Sequence, residues 1–223
     1  SVVELAIGEI IMLMRSVFAR STELHNGEWN KTAKGSREVR GKKLGIVGYG
    51  NIGKQLSVLA ESMGMQVYYY DIEDRLALGN AKKCHTLEEL LSTSDVISLH
   101  IDDNANNKNF IGEAEINHMK DGAVLVNLSR GFVVDIPALK TALESGKLSG
   151  AAVDVFPVEP RANGSFETDL KDYLFIDLGE EQNLSYSLED LILDNLGNYD
   201  YYVVMLVILL FFAHYLLHFF MLI

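Results

Sequence analysis

The chain has 223 residues, 48% of them hydrophobic, which is enough for one full α/β domain with a real core and part of a second. Its formal charge of −12 is unevenly placed: residues 1–171 hold all 19 Lys and Arg against 23 acids, while residues 172–223 hold 8 acids and no base. That balance gives no basic patch for a nucleic-acid groove, so no nucleic-acid partner is expected, and the single cysteine, Cys84, excludes an intramolecular disulfide framework and fits a reducing compartment.

Val2 to Ala19 is predicted to form one helix, with a nearly continuous apolar face from Ile7 to Met14. Glu4, Glu9 and Arg15 at helical spacing argue against a secretory leader, and a chain beginning at Ser1 is expected to start inside a longer parent or after processing. His25 to Lys34 is polar and contains glycine, and reads as a loop with one large anchor, Trp29.

Lys43 to Val47 is an apolar, strand-like run that feeds directly into GYGNIG, a GxGxxG pattern formed by Gly48, Gly50 and Gly53. A helical stretch, Asn51 to Met63, follows. Each glycine has its own duty: Gly48 allows the sharp turn, Gly50 lets a pyrophosphate approach the backbone, and Gly53 lets the helix lie against the sheet. The N–H groups of Asn51, Ile52 and Gly53, at the positive end of the helix dipole, then face the phosphates. A second strand-like run, MQVYYYD, ends in Asp71, about twenty residues past the motif. A carboxylate there accepts the hydroxyls of an adenosine ribose and repels a 2′-phosphate, so the expected cofactor is NAD rather than NADP.

A short segment spans Leu78 to Cys84, and Thr86 with Glu89 then gives a capping box that opens a helix over Thr86 to Leu91. Asp95 to His100 is a β-rich run, Asn104 to Asn109 a polar loop, Gly112 to Met119 a helical turn and Gly122 to Leu128 another buried strand. Ile136 to Ser145 carries proline in its first helical turn, and Gly150 to Val155 is a further strand. Strands and helices thus alternate from residue 43 to about 157, which argues for a doubly wound parallel sheet. Past residue 165 the rhythm is lost. Residues 166–200 are acidic with scattered leucines, and Tyr201 to Ile223 is an uncharged apolar run long enough, at 1.5 Å per helical residue, to contact or cross a membrane.

From Ser1 to about Pro160 the sequence resembles the NAD-dependent D-2-hydroxyacid dehydrogenases. The stretches that carry the likeness are SVVELAIGEIIMLMR, GKKLGIVGYGNIGKQL, MGMQVYYYDIE, NLSRGFVVDIPAL and GAAVDVFPVEP. The resemblance implies a Rossmann-type NAD-binding domain over residues 1–165, a cytoplasmic location, a homodimer, and oxidation of a small D-2-hydroxy acid, with 3-phosphoglycerate on the route to serine as the implied substrate. It places Arg130 as the group that grips the substrate carboxylate, Glu159 as the partner of a catalytic histidine, and Asp154 and His100 near the cofactor. No metal is implied. The family's base histidine sits in a Pro-His-Ile-Gly-Gly-like string roughly two dozen residues after the glutamate. In this chain Gln182 stands at about that distance, and the likeness stops near Tyr173 in the manner of a shifted reading frame or a fusion. The family's N-terminal substrate domain would precede Ser1. The alternative expectation is therefore a catalytically inactive NAD-binding fragment.

Overall fold

The computed structural model describes residues 2–157 and the backbone of the short strand Leu174–Phe175. All of these belong to the first of two units into which the chain divides, Ser1–Asp177. The expectations for Glu159, Gln182, the acidic segment and the apolar run 201–223 lie outside the described residues. Among the described residues no helix is long and apolar enough to cross a membrane.

Seven parallel strands form one sheet: β1 (Lys43–Val47), β2 (Gln66–Tyr70), β3 (Lys82–Lys83), β4 (Val96–Leu99), β5 (Ala123–Asn127), β6 (Leu148–Val153) and β7 (Leu174–Phe175). Their order is β3-β2-β1-β4-β5-β6-β7, so the chain reverses its direction of travel across the sheet on either side of β1. The doubly wound parallel sheet read from the sequence is the observed one. β6 begins two residues earlier than Gly150, and β7 extends the sheet past residue 165 by pairing Ala151 with Leu174.

Side chains of alternate parity along the central strands feed two separate cores, because successive Cβ atoms leave opposite faces of a strand. Leu44, Ile46, Val96, Val124, Val126 and Ala152 pack on one face with Val3, Ala6, Ile10 and Met14 of α1 (Val2–Arg15) and Leu56 and Ala60 of α3 (Asn51–Ser62). Ile97, Leu99, Leu125, Ala151 and Val153 pack on the other face, with Leu90 and Leu91 of α4 (Leu87–Thr93), Ile116 of α5 (Glu113–His118) and Leu139 of α6 (Ile136–Glu144). Burial on both faces explains why β1, β4 and β5 read as unbroken apolar runs.

Thr86 accepts the Glu89 N–H at 3.1 Å, as the capping box predicts, while the Glu89 carboxylate reaches back one residue further than expected, to the His85 N–H at 2.7 Å. Asp135, which the sequence reading passed over, caps α6 by accepting from the Ala138 N–H at 3.0 Å. At the amino edge of the sheet, Asp95 accepts from the Lys43 N–H and from Lys120 Nζ, each at 2.9 Å.

Two expectations for the first forty residues need correction. The single helix Val2 to Ala19 is two helices, α1 ending at Arg15 and α2 running Val17–His25, with Ser16 between them at a left-handed φ of 52°. The cause is tertiary. The last carbonyls of α1 are taken by the following linker, Met14 by the Arg37 N–H at 2.7 Å and Arg15 by the Ser36 hydroxyl at 3.0 Å. Trp29 is not an anchor: it is 80% exposed, and no residue of α2 is buried. The linker is held instead by Arg37, whose guanidinium donates to the Gly122 carbonyl at 2.8 Å and to Ser149 Oγ at 2.6 Å. The apolar face of α1 is largely absorbed by the domain itself, through Val3, Ala6, Ile10 and Met14.

Candidate cofactor and substrate site

The glycine turn lies at the carboxyl end of β1, between the carboxyl ends of β2 and β4, where a reversal in strand order opens a crevice in such sheets. Gly48 has φ 91°, and a Cβ there would run into the His100 carbonyl. Its N–H donates to the Tyr70 carbonyl at 2.9 Å, which ties the turn to β2. At Gly53 a Cβ would collide with the Gly48 carbonyl oxygen and sit 3.0 Å from Ile46 Cγ2, so this glycine sets how closely α3 lies on the sheet. Gly50 differs from both. Its backbone is extended, and no atom lies within 4 Å of where a Cβ would be.

Gly50 is also the N-cap of α3 and supplies no side-chain acceptor, so the first N–H groups of the helix, at Asn51, Ile52 and Gly53, lack intrahelical partners and present positive dipole ends. This open, Cβ-free approach to a helix N-terminus fits a pyrophosphate. The cleft beside it has a volume of about 260 Å³ and is lined in part by Gly48, Gly50, Asp71, His100, Asp102 and Phe110.

Asp71 follows β2 directly and is almost enclosed. Its Oδ2 accepts the Tyr49 N–H at 2.7 Å and its Oδ1 the Glu73 N–H at 2.8 Å, so the carboxylate is pinned between the glycine turn and the bend after β2. Each oxygen keeps a further lone pair for a ribose hydroxyl. Tyr49, an unspecified position of the motif, is fully buried: it stacks on Tyr69 with ring centroids 3.8 Å apart, and its hydroxyl lies 2.8 Å from Ser57 Oγ. No sequence signal distinguished it.

His100 directly follows β4 and lines the cleft. Its N–H donates to the Val47 carbonyl at 2.8 Å, and Nε2 lies 2.8 Å from Ser98 Oγ. Burial pushes the imidazole down to about 4, so it is neutral at physiological pH. Burial also pushes the Cys84 thiol up to about 11, with Glu89 adding to the effect, which leaves it unreactive.

Arg130 sits three residues past β5, at the same carboxyl edge. Asn127 builds its turn by accepting from the Ser129 N–H at 3.1 Å and the Ser129 hydroxyl at 2.8 Å while donating to the Arg130 carbonyl at 3.1 Å. The half-exposed guanidinium donates to the Ser129 carbonyl at 2.7 Å and lies 3.5 Å from Asp103 Oδ2. Asp154 follows β6 at this edge, its N–H on the Asn127 carbonyl at 3.2 Å. The segment after Asp154 crosses so close to Gly131 that a Cβ there would overlap the Phe156 carbonyl. The structure thus brings Gly48, Gly50, Asn51, Ile52, Gly53, Asp71, His100, Arg130 and Asp154 to one edge of the sheet. Asn127, Gly131 and Asp103 were not anticipated; the tight NLSRG string was the signal for the first two.

A parallel sheet with this turn, this helix and this acid at its point of reversal defines a dinucleotide-binding α/β domain. The model of the NAD binding domain of D-isomer specific 2-hydroxyacid dehydrogenases matches residues 7–175, and the chain belongs to that family. NAD is the cofactor of such a domain, and the residues described above fit it. A D-3-phosphoglycerate dehydrogenase of Haemophilus influenzae is 58% identical over 174 residues, covering 78% of this chain and 42% of that protein. One of Dictyostelium discoideum is 57% identical over 163 residues, covering 73% and 40%. Among solved structures, a glyoxylate reductase from Paecilomyes thermophila aligns with TM-score 0.65 at 36% identity over 72% of this chain and 49% of that one. A D-lactate dehydrogenase from Aquifex aeolicus, complexed with NAD and lactic acid, aligns with TM-score 0.65 at 33% identity over 70% and 47%. The chain spans about two fifths of the length of the curated relatives it matches.

Proposed function

We propose that this chain is the cofactor-binding part of an NAD-dependent oxidoreductase acting on the CH–OH group of a D-2-hydroxy acid, with D-3-phosphoglycerate, and so serine synthesis, as the substrate its curated relatives favour. The observation that carries the reading is the placement of Arg130 on a rigid turn at the same sheet edge as the glycine turn and Asp71. Bound NAD would supply the hydride acceptor. Arg130 would hold the substrate carboxylate in a fixed two-pronged grip and draw charge from the C2 oxygen, which orients the reacting carbon. Asp154 and the neutral His100 would border the cofactor, and Glu159 would hold and polarise a base histidine.

A second reading, an NAD-binding unit without turnover, is favoured by one observation. His100 is the only histidine among the described residues lining the cleft, and burial disfavours the protonated form it would have to adopt on taking a hydroxyl proton, with Nε2 beside Ser98. The cytoplasm is the compartment proposed. Residues 1–165 form the proposed NAD-binding domain, followed by the acidic segment 166–200, whose Leu174–Phe175 adds β7 to the sheet, and the apolar segment 201–223. A homodimer is proposed through α2 and the linker, where Phe18, Leu24 and Trp29 expose 51%, 57% and 80% of their surface.

The test follows D-3-phosphoglycerate binding in the presence of NADH, and NADH formation from NAD with D-3-phosphoglycerate and other D-2-hydroxy acids. Arg130→Gln should weaken acid binding about tenfold, the scale of a lost charged hydrogen bond. Turnover of about one per second or faster identifies the dehydrogenase. NAD binding with no NADH formed identifies the second reading, and acid binding indifferent to Arg130→Gln removes the assignment of that residue.

A further inference from the structure

The bend after β2 carries a charge arrangement that the ribose-binding role of Asp71 does not use. Three carboxylates line the cleft, Asp71, Glu73 and Asp102, and Arg75 is the one formal cation among the described residues that line it. The Arg75 backbone is fixed, because its carbonyl accepts the Tyr69 hydroxyl at 2.7 Å. Its guanidinium is held from two sides: Nη2 lies 2.6 Å from Glu73 Oε2, and Nε lies 3.8 Å from Asp71 Oδ2. That Nε is buried and makes no hydrogen bond among the described residues. Glu73 is itself placed by Asp71, which accepts its N–H at 2.8 Å.

NADP differs from NAD by a phosphate on the adenosine ribose, a group carrying about −1.5 to −2 charges near neutrality. Asp71 repels it. An arginine four residues on, at the rim of the same cleft, would counter that repulsion, since a guanidinium is the preferred two-pronged partner of phosphate. Resting on the reading of this cleft as the NAD site, we propose that Glu73 is a second cofactor-specificity residue: it occupies the Arg75 guanidinium and so withholds from a 2′-phosphate the cation that would otherwise receive it. Discrimination against NADP is then shared between Asp71, which repels, and Glu73, which removes the attraction. The Glu73–Arg75 pair is partly exposed, so its effect is a matter of several-fold rather than thousands.

The experiment titrates the full chain with NADH and with NADPH, following nucleotide fluorescence, for the parent, Glu73→Gln and Glu73→Gln/Arg75→Ala. The same three proteins are repeated on an Asp71→Asn background, where NADPH binds within easy range and the amide oxygen can still accept from Tyr49. Glu73→Gln should narrow the NADPH-to-NADH dissociation-constant ratio about 3- to 10-fold on that background. Adding Arg75→Ala should cancel the gain. A ratio unmoved by Glu73→Gln, or a gain that survives Arg75→Ala, overturns the proposal while leaving the NAD site intact. Failure of NADH to bind the parent overturns the cleft assignment and this inference together.

Discussion

His100 gives the structure a pH signature that can be worked out in advance. The imidazole titrates at about 4 in the folded chain against 6.5 ordinarily, because burial disfavours its charged form. Between these values the unfolded chain binds a proton that the folded chain refuses, so stability falls as pH falls. The contribution is fully present above pH 6.5 and is lost progressively down to pH 4. A difference of 2.5 pH units corresponds to on the order of 3 kcal/mol. Against the opposing effect of burial, Asp95 is held below the usual carboxylate range by the Lys43 N–H and Lys120, so absolute stabilities toward the acid end will carry its effect as well. Comparison with His100→Gln isolates the histidine: the amide preserves a partner for Ser98, and any packing cost it brings is independent of pH. Urea unfolding at half-unit steps from pH 7.5 to 4 should show the native chain losing about 3 kcal/mol more than the variant. Parallel profiles would refute the burial argument.

Gly53→Ala should destabilise the domain by about 1–3 kcal/mol in urea, since the collision with the Gly48 carbonyl outweighs the roughly 1 kcal/mol that alanine gains over glycine in a helix; a stabilised variant would contradict the packing described. Sedimentation equilibrium should find a dimer for the native chain and a monomer for Phe18→Ser/Leu24→Ser, and a native monomer would remove the role proposed for the exposed side of α2.

The cofactor edge was legible because its signals are local and agree with one another. A buried strand, glycines at fixed offsets, a helix and a terminal acid occupy about thirty residues, and backbone geometry leaves few other residues able to stand at Gly48 or Gly53. What escaped the reading depended on residues distant in sequence. Ser16 breaks the first helix because Ser36 and Arg37 take its carbonyls, and nothing in the apolar periodicity around Ser16 anticipates those partners. Trp29 looked like an anchor by size alone, yet Arg37 holds the linker through polar contacts with the edge of the sheet. Asp103 reaches Arg130 only because β4 and β5 are neighbours, a fact of strand order. The double hydrogen bonding of Asp71 likewise appears only once β2 is laid beside the turn.

Gly50 offers the most direct test of the central claim, that the glycine turn of this chain receives the pyrophosphate of NAD. Its extended backbone accepts any residue and the space beyond it is open, so Gly50→Val should fold, with at most about 1 kcal/mol lost from the N-cap change. The same side chain would stand where the cofactor must approach the backbone. Calorimetric titration should show NAD binding to the native chain and binding to Gly50→Val weakened on the order of 100-fold, equivalent to about 2.8 kcal/mol, with the unfolding transition retained. Equal NAD affinity in the two proteins would contradict the account.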